Sequence, residues 1–424
     1  GKFIRKDVLI ACGAAAAISS GFGAPIAGIM FAHEALLRRF SIGGLAPISV
    51  ASIVAAATNR YLFDENLTFQ VPSSDLDLVA VLPFVIIFAP ICSGIAIFYM
   101  VALRTCQKLA ASGKYQFSTL IFGTAIMVGS IGVFVPEVLG LGNYEINQML
   151  SANYELSFLL LLMTVKIFVT ALCIGFGFFG GVFGPALFVG AALGGVLSAL
   201  LMQAGFSSDY GTIIALATLA AVGSSVIGAP LTAVLIVLEL TGSYQYALMA
   251  LLSVTLCSTL TYKLFGLSFF DRQLLDRGID LSRGREYTQM TQISVSEIEF
   301  SEHLTFKPGT EGEKILNVMT EKKMTEAYIV DDDQLLVGKI NILALVEDRD
   351  NYMDKIENNP ITLSLDNALT EAIEIASNFV GESIPILKEK RLVGAITEGD
   401  LFTKVLALED DLRNEETEYI VSTK

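Results

Sequence analysis

The stretch Gly175–Gly195, GFGFFGGVFGPALFVGAALGG, holds the residues whose types and spacing best suit binding chemistry. Gly175, Gly177, Gly180, Gly181 and Gly184 crowd the run before Pro185. Proline suits the first turn of a helix, where its missing N–H costs nothing. Gly190, Gly194 and Gly195 then form a small face for close helix packing. A glycine-rich turn feeding a helix in apolar surroundings leaves backbone N–H groups facing a cavity. Those groups and the helix dipole, roughly +0.5 charge, attract an anion without placing a full cation in lipid. The same composition also suits a flexible hinge between two helices.

The surrounding chain is apolar enough to be an integral membrane protein: 53% of its 424 residues are hydrophobic. Charge is unevenly placed. Up to Phe270 there are 11 basic and 11 acidic residues; from Asp271 onward there are 17 basic and 32 acidic, which carries the whole net charge of −15. A neutral membrane part is therefore followed by an acidic soluble part. The acidic balance argues against nucleic acid and anionic lipid as partners. Cys12, Cys92, Cys106, Cys173 and Cys257 lie in or beside apolar segments with no CxxC pair, and His33 and His303 are the two histidines. They read as buried thiols, not as disulfides or a metal site.

The elements that must position the glycine stretch come in order. A small-residue helix is expected over 8–21, then a break at Gly23-Ala24-Pro25, then a short apolar helix to about Leu37 that Arg38-Arg39 ends. A further apolar helix covers 42–57, and residues 60–77, with Asp64, Glu65, Asp75 and Asp77, read as a solvated loop. Apolar segments follow at about 78–103, 118–136, 157–176, 183–204, 211–226, 230–241 and 244–265. Several fall short of the roughly 20 residues a spanning helix needs, and Gly or Pro interrupts many. Broken and re-entrant helices suit a transporter or channel.

An internal repeat supports this. Residues 13–34, GAAAAISSGFGAPIAGIMFAHE, align without gaps on 218–239, TLAAVGSSVIGAPLTAVLIVLE, at an offset of 205. The SS-x-x-GAP core and a closing glutamate, Glu34 and Glu239, recur. Duplicated halves place a substrate path between them. The same offset carries Gly181–Pro185 to a position upstream of Gly1, so the sequence is expected to be N-terminally truncated, with half of its ion pathway before its first residue.

Beyond Asp271, a charged connector (271–300) leads to two α/β units at 301–350 and 354–408 and an acidic, frayed tail at 409–424. The first unit is read as a helix near Glu311–Glu321 with strands near Ala327–Val330 and Leu335–Ile340. The second is read as Ile361–Leu363, a helix at Leu369–Phe379, strands at Ser383–Leu387 and Leu392–Ile396, and a helix from Asp400.

These residues resemble the CLC family of chloride channels and proton-coupled chloride transporters. ACGAAAAISSGFGAPIAGIMFAHE resembles the family's helix pair following the outer gate, GGVFGP its GxFxP anion-binding motif, and GAPLTAVLIVLELTGSYQ the second-half counterpart. The tail resembles a pair of CBS domains. The implied fold is a polytopic all-α membrane protein, a CLC-like inverted repeat with broken helices at 1–270, plus a C-terminal α/β CBS-domain pair. The resemblance implies that Gly181, Val182, Phe183, Gly184 and Pro185 form the chloride site, through the amides of Val182 and Phe183. Phe270, with Phe269 as the fallback, stands where the family often has a chloride-contacting tyrosine, so one hydroxyl ligand is lost. The family's GSGIP and GREGP motifs are not in the chain. The antiporters' inner proton-relay glutamate falls on Ala35, beside Glu34, so the resemblance places Glu34 and Ala35 on the gating and proton path; the alanine implies a channel-like or proton-uncoupled path, with a proton-coupled antiporter as the alternative. The family further implies a homodimer in a lipid bilayer, with chloride as the substrate. The expected location is a bacterial inner membrane with the tail cytoplasmic.

Each residue also has a plainer reading. Glu34 and Glu239 could be structural carboxylates at helix ends. His33 suits an interface histidine, and Phe269 and Phe270 suit core aromatics. Lys166, alone inside LLLLMTVKIFVTAL, could line the anion path or snorkel. Thr397 and Asp400 keep the T-x-x-D spacing that contacts adenine nucleotides in CBS domains, and equally make an N-cap; the first unit has Asn341 and Ala344 there. No Ser–His–Asp set, catalytic carboxylate pair or Walker motif points to an enzyme. A reading of another class is a nucleotide-sensing CBS module on an inactive membrane anchor.

Overall fold

The computed structural model describes residues 6–40, 42–63, 78–113, 116–207, 209–277, 279 and 284–421. The expected loop at 60–77 falls mostly outside them, with Asp64, Glu65, Asp75 and Asp77. The chain divides into two compact units, Gly1–Asp276 and Arg277–Lys424.

The first unit is all-helical: α1 (Lys6–Phe22), α2 (Pro25–Phe31) with a π-helical turn (Ala32–Leu37), α3 (Ile42–Phe63), α4 (Leu78–Ala111), α5 (Phe117–Phe134), α6 (Asn143–Leu150), α7 (Leu156–Gly175), α8 (Phe183–Gln203), α9 (Asp209–Ile227), α10 (Pro230–Thr241), α11 (Tyr244–Phe265) and α12 (Phe269–Leu275). Among the described residues, seven helices are long and apolar enough to cross a membrane. The protein is thus a polytopic membrane protein. α10, at 12 residues, rises about 18 Å, well short of a bilayer's hydrocarbon core.

The expected segments match these helices, with three corrections. α4 runs on to Ala111, because Leu, Arg, Gln, Lys and Ala beyond the apolar run are good helix formers. α6 lies between expected segments and is too polar and short to register as a span. The membrane unit extends past Phe270, since Asp271 pairs with Arg38 and Asp276 with Arg104.

Contacts define two ends. Arg39 pairs with Asp7 at 3.6 Å, Arg104 with Asp276 at 2.8 Å, and Gly175 abuts Cys106. These gather the start of α1, the ends of α4 and α7, and α12. At the other end, Asn59 donates to the Ser20 carbonyl (3.1 Å), Asn143 to that of Gly21 (3.2 Å), and Phe84 packs edge-on to Phe206 at 5.0 Å. Lys6, Arg38, Arg39, Arg104, Lys108, Lys263 and Arg272 lie at the first end. Arg60 lies at the other, with Glu137, Glu145, Glu155 and Asp209. α8 and α9 are the most buried of the long helices and pack through Gly190 and Gly194.

The second unit contains α13 (Gly284–Met290), α14 (Gly312–Lys322), α15 (Ile342–Glu347), α16 (Leu369–Ser377) and α17 (Glu398–Val421). Its strands are β1 (Thr305–Phe306), β2 (Glu326–Val330), β3 (Leu336–Asn341), β4 (Leu363–Ser364), β5 (Ile384–Lys388) and β6 (Arg391–Ile396). They form two matching three-stranded sheets, β1-β2-β3 and β4-β5-β6, each with a parallel first pair and an antiparallel second pair. The two halves interlock: Ser301 bridges Ala395 and Glu357 bridges Lys339. A buried ion pair, Lys339 to Glu326 at 3.1 Å, sits with its ammonium 4.7 Å from the Phe379 ring. The acidic end expected to fray continues instead as α17 to Val421, as its Glu- and Leu-containing sequence permits.

Candidate anion site

α7 ends at Gly175, and a short loop carries the chain to α8. Gly177 takes φ +97°, a conformation that favours glycine, and a Cβ there would meet the Phe117 ring at 2.6 Å. Val182 is the N-cap of α8 and has no side-chain cap. The first helical bond runs from Ala186 N–H to the Val182 carbonyl at 3.1 Å. The amides of Val182, Phe183 and Gly184 precede it, and among the described residues no protein acceptor reaches them.

Aromatic and aliphatic side chains wall this helix start. Phe22 meets the Phe183 ring edge-on at 5.6 Å, and Phe31 stacks on it at 5.9 Å. Leu141 Cδ2 comes within 3.1 Å of where a Gly184 Cβ would stand. The buried Tyr99 hydroxyl donates to the Val182 carbonyl at 3.4 Å. No sequence signal marked Tyr99. Gly181, Val182, Phe183, Gly184 and Pro185 are thus brought together as a loop-to-helix junction. Phe269 is a core residue, 2% exposed, whereas Phe270 is half-buried and packs on Phe269 at 5.6 Å.

The repeat takes a form that the sequence did not disclose. Glu34 Oε1 accepts from the Leu231 amide (2.9 Å), and its Oε2 from the Thr232 amide (2.8 Å) and hydroxyl (2.7 Å). Glu239 accepts from the Ile26 and Ala27 amides at 2.8 and 2.7 Å. Each carboxylate caps the other repeat's proline-led half-helix. Glu34, expected on a gating or proton path, is therefore committed to an N-terminal cap. Both its oxygens are engaged by a helix whose own N-cap, Ala229, supplies no side-chain acceptor. Ala35 lies half-buried in the π-helical turn against the membrane core.

Lys166 neither lines an open path nor snorkels. It is 2% exposed and donates to the carbonyls of Val138 (2.8 Å) and Gly140 (2.9 Å). His33 is buried, with its ring 5.1 Å from Phe40 and Nδ1 3.1 Å from the Arg39 carbonyl. All five cysteines are free; Cys92 and Cys257 are buried as expected, while Cys12, Cys106 and Cys173 are only half-buried because they sit near helix surfaces.

In the tail, Thr397 and Asp400 meet as a helix cap. Asp400 Oδ2 accepts from the Thr397 amide and hydroxyl, both at 2.8 Å, and from the Ser301 hydroxyl at 2.6 Å. Asn341 caps α15 through the Leu343 amide at 2.9 Å. Burial holds the Tyr328 phenol well above its usual range, and it hydrogen-bonds Ser383 across the two halves.

A family model described as voltage gated chloride channel matches residues 3–262, and a CBS domain model matches residues 346–407. The chain is 30% identical over 270 residues to chloride channel protein CLC-f of Arabidopsis thaliana, covering 58% of this chain and 34% of that protein. It is 26% identical over 289 residues to the H(+)/Cl(-) exchange transporter ClcA of Vibrio parahaemolyticus, covering 66% of this chain and 62% of that one. It thus spans between a third and two thirds of these relatives' lengths. A solved slow cyanobacterial Cl-/H+ antiporter superposes with a TM-score of 0.57 at 20% identity, covering 65% of this chain and 66% of that one. A eukaryotic CLC transporter superposes with a TM-score of 0.54 at 18% identity, covering 93% of this chain and 70% of that one, which shows a common fold. With its membrane unit matched almost throughout, this chain belongs to the voltage gated chloride channel family and carries a CBS domain behind it.

Proposed function

We propose that the chain moves chloride across a membrane, with the anion held by the amides of Val182 and Phe183. One observation carries this. Among the helices α2, α8 and α10, which begin at or near a proline, α2 and α10 have their first amides capped by Glu239 and Glu34, while those of α8 are left to an external anion. A helix start in apolar surroundings needs such a partner.

Chloride efflux from liposomes tests the reading. Wild-type protein is expected to discharge a chloride gradient, and substitutions at Val182 and Phe183 to slow it; a flat wild-type trace, with the tail intact, favours the sensor on an inactive anchor. Phe270 is the residue proposed to face the anion from α12. Phe270→Tyr supplies a hydroxyl, and a hydrogen bond to a charged group is worth about 1.5–3 kcal/mol. The half-saturating chloride concentration should therefore fall about tenfold or more. An unchanged value removes Phe270 from the path.

Ala35 supports a channel-like, proton-uncoupled path; the exchange activity in the name of the Vibrio relative supports coupling. Proton flux recorded beside chloride flux decides between them, since proton uptake driven by a chloride gradient overturns the uncoupled reading. The basic end of the membrane unit is assigned to the cytoplasm, because among the described residues seven basic residues lie at that end and Arg60 at the other. That the chain leaves the membrane unit at that end supports a cytoplasmic tail, and the proposed location is a bacterial plasma membrane. A homodimer with one path per chain is the proposed assembly. The tail's proposed effector is an adenine nucleotide at Thr397 and Asp400, competing with Ser301 for Oδ2 of Asp400. Calorimetric titration with ATP, ADP and AMP, against Asp400→Ala, tests it.

A further inference from the structure

Lys166 lies halfway along α7, and its ammonium has traded water for three neutral surfaces. Two are the carbonyls of Val138 and Gly140; the third is the Phe188 ring, 4.5 Å from Nζ to centroid. Among the described residues it forms no ion pair. Glu145 is its electrostatic partner without a direct contact, its carboxylate 3.7 Å from where a Gly142 Cβ would stand. The positive charge is therefore buried with no direct ion pair and with Glu145 as its electrostatic partner, an arrangement that is costly in a membrane protein and seldom kept without a use.

The neighbours of that charge lead to the start of α8. Phe188 stands five residues beyond Phe183, about 7.5 Å along the helix axis. Gly140 precedes Leu141, the side chain that walls Gly184, and a Cβ on Gly142 would meet the Phe188 ring at 2.5 Å. The segment 138–142 thus lies along the first turns of α8, tied down by Lys166. With the side-chain offset added, the ammonium is on the order of 12 Å from the α8 amides.

We propose that Lys166 is a positioning and selectivity residue: its buried charge, acting through the 138–142 segment and Phe188, makes the α8 helix start favourable to anions. This rests on the reading of Val182 and Phe183 as the chloride site. A unit charge about 12 Å away at an effective dielectric of about 20 changes anion affinity about tenfold. The helix start and Lys166 share the work: the amides give direction, and the ammonium gives long-range field.

The test is chloride efflux from liposomes holding full-chain wild type, Lys166→Arg, Lys166→Gln and Lys166→Met. Arg keeps the charge and the carbonyl contacts. Gln keeps one donor and drops the charge. The expected result is a roughly tenfold rise in half-saturating chloride for Gln and Met, little change in maximal flux per folded protein, and a value within about threefold of wild type for Arg. Circular dichroism melts in detergent give the folded fraction for each variant. Gln matching wild-type affinity overturns the proposal, as does Arg shifting affinity as far as Gln. If Gln and Met do not fold, Arg alone decides through its half-saturation value. No wild-type flux overturns the chloride-site reading itself, a result distinct from a normal wild type with an unshifted Gln variant.

Discussion

Gly194→Ala is expected to unfold the centre of the membrane unit, costing about 3 kcal/mol or more. A Cβ at Gly194 would overlap Thr218 Oγ1 and the Ala215 Cα. Neither can yield cheaply. Ala215 is backbone of the almost wholly buried α9, and the Thr218 hydroxyl donates to the carbonyls of Ile214 and Ala215 at 2.8 and 3.0 Å. Gly190 makes the same approach one turn earlier, where a Cβ would stand 2.7 Å from the Leu219 Cα and 2.8 Å from the Thr218 carbonyl. Separating α8 from α9 would open voids along a tightly packed interface, and membrane helices rely on that packing because lipid supplies no hydrophobic drive between them. The control is Gly123→Ala on α5, where a Cβ meets nothing within 4 Å. There the better helix propensity of alanine should leave stability unchanged or raise it by roughly 0.5–1 kcal/mol. Thermal melts and size-exclusion profiles in detergent read both variants. A Gly194→Ala protein melting within a degree of wild type would show that α8 and α9 do not set the frame for the loop before α8.

The second large effect lies in the exchanged caps. Glu34→Ala strands the Leu231 and Thr232 amides and the Thr232 hydroxyl at the start of α10, a helix with no other side-chain cap. Each orphaned group costs about 1–3 kcal/mol, so a loss of about 3 kcal/mol is expected. Glu239→Ala should cost slightly less, because two amides depend on it and no hydroxyl. The double variant tests coupling: α2 and α10 pack antiparallel, so the combined loss should depart from the sum of the single losses. Glu34→Gln separates structure from transport. It keeps an acceptor for one amide and should recover part of the stability. A Glu34→Gln protein as stable as wild type but with altered proton flux would return Glu34 to the proton path.

Much of the membrane unit was legible because its signals are local. Apolar runs bounded by Gly, Pro and charge mark the long helices, and α10 and α11 fall where hydropathy put them. The repeat at an offset of 205 was visible as matched letters, closing glutamates included. What those glutamates do was not. A carboxylate at the end of one helix and free amides at the start of another are about 200 residues apart in the chain, and only the antiparallel packing of α2 on α10 joins them. α6 escaped for a different reason: eight residues of NYEINQML carry too little apolar length to stand out beside spanning helices.

The glycine stretch before α8 shows the division most sharply. Sequence alone determined that a glycine-rich turn leads into a helix, that the helix has a small-residue face, and that the amides at its start suit an anion, because φ > 0 tolerance, proline placement and side-chain size are properties of the residues themselves. Tertiary structure alone decided that α8 keeps its amides free while α2 and α10 surrender theirs to glutamates, that Lys166 is sealed behind Phe188 with two carbonyls, and that Thr397 and Asp400 meet as a cap with Ser301. Hydrogen-bond partners and electrostatic fields are set by distances through space, and chain spacing does not encode those distances.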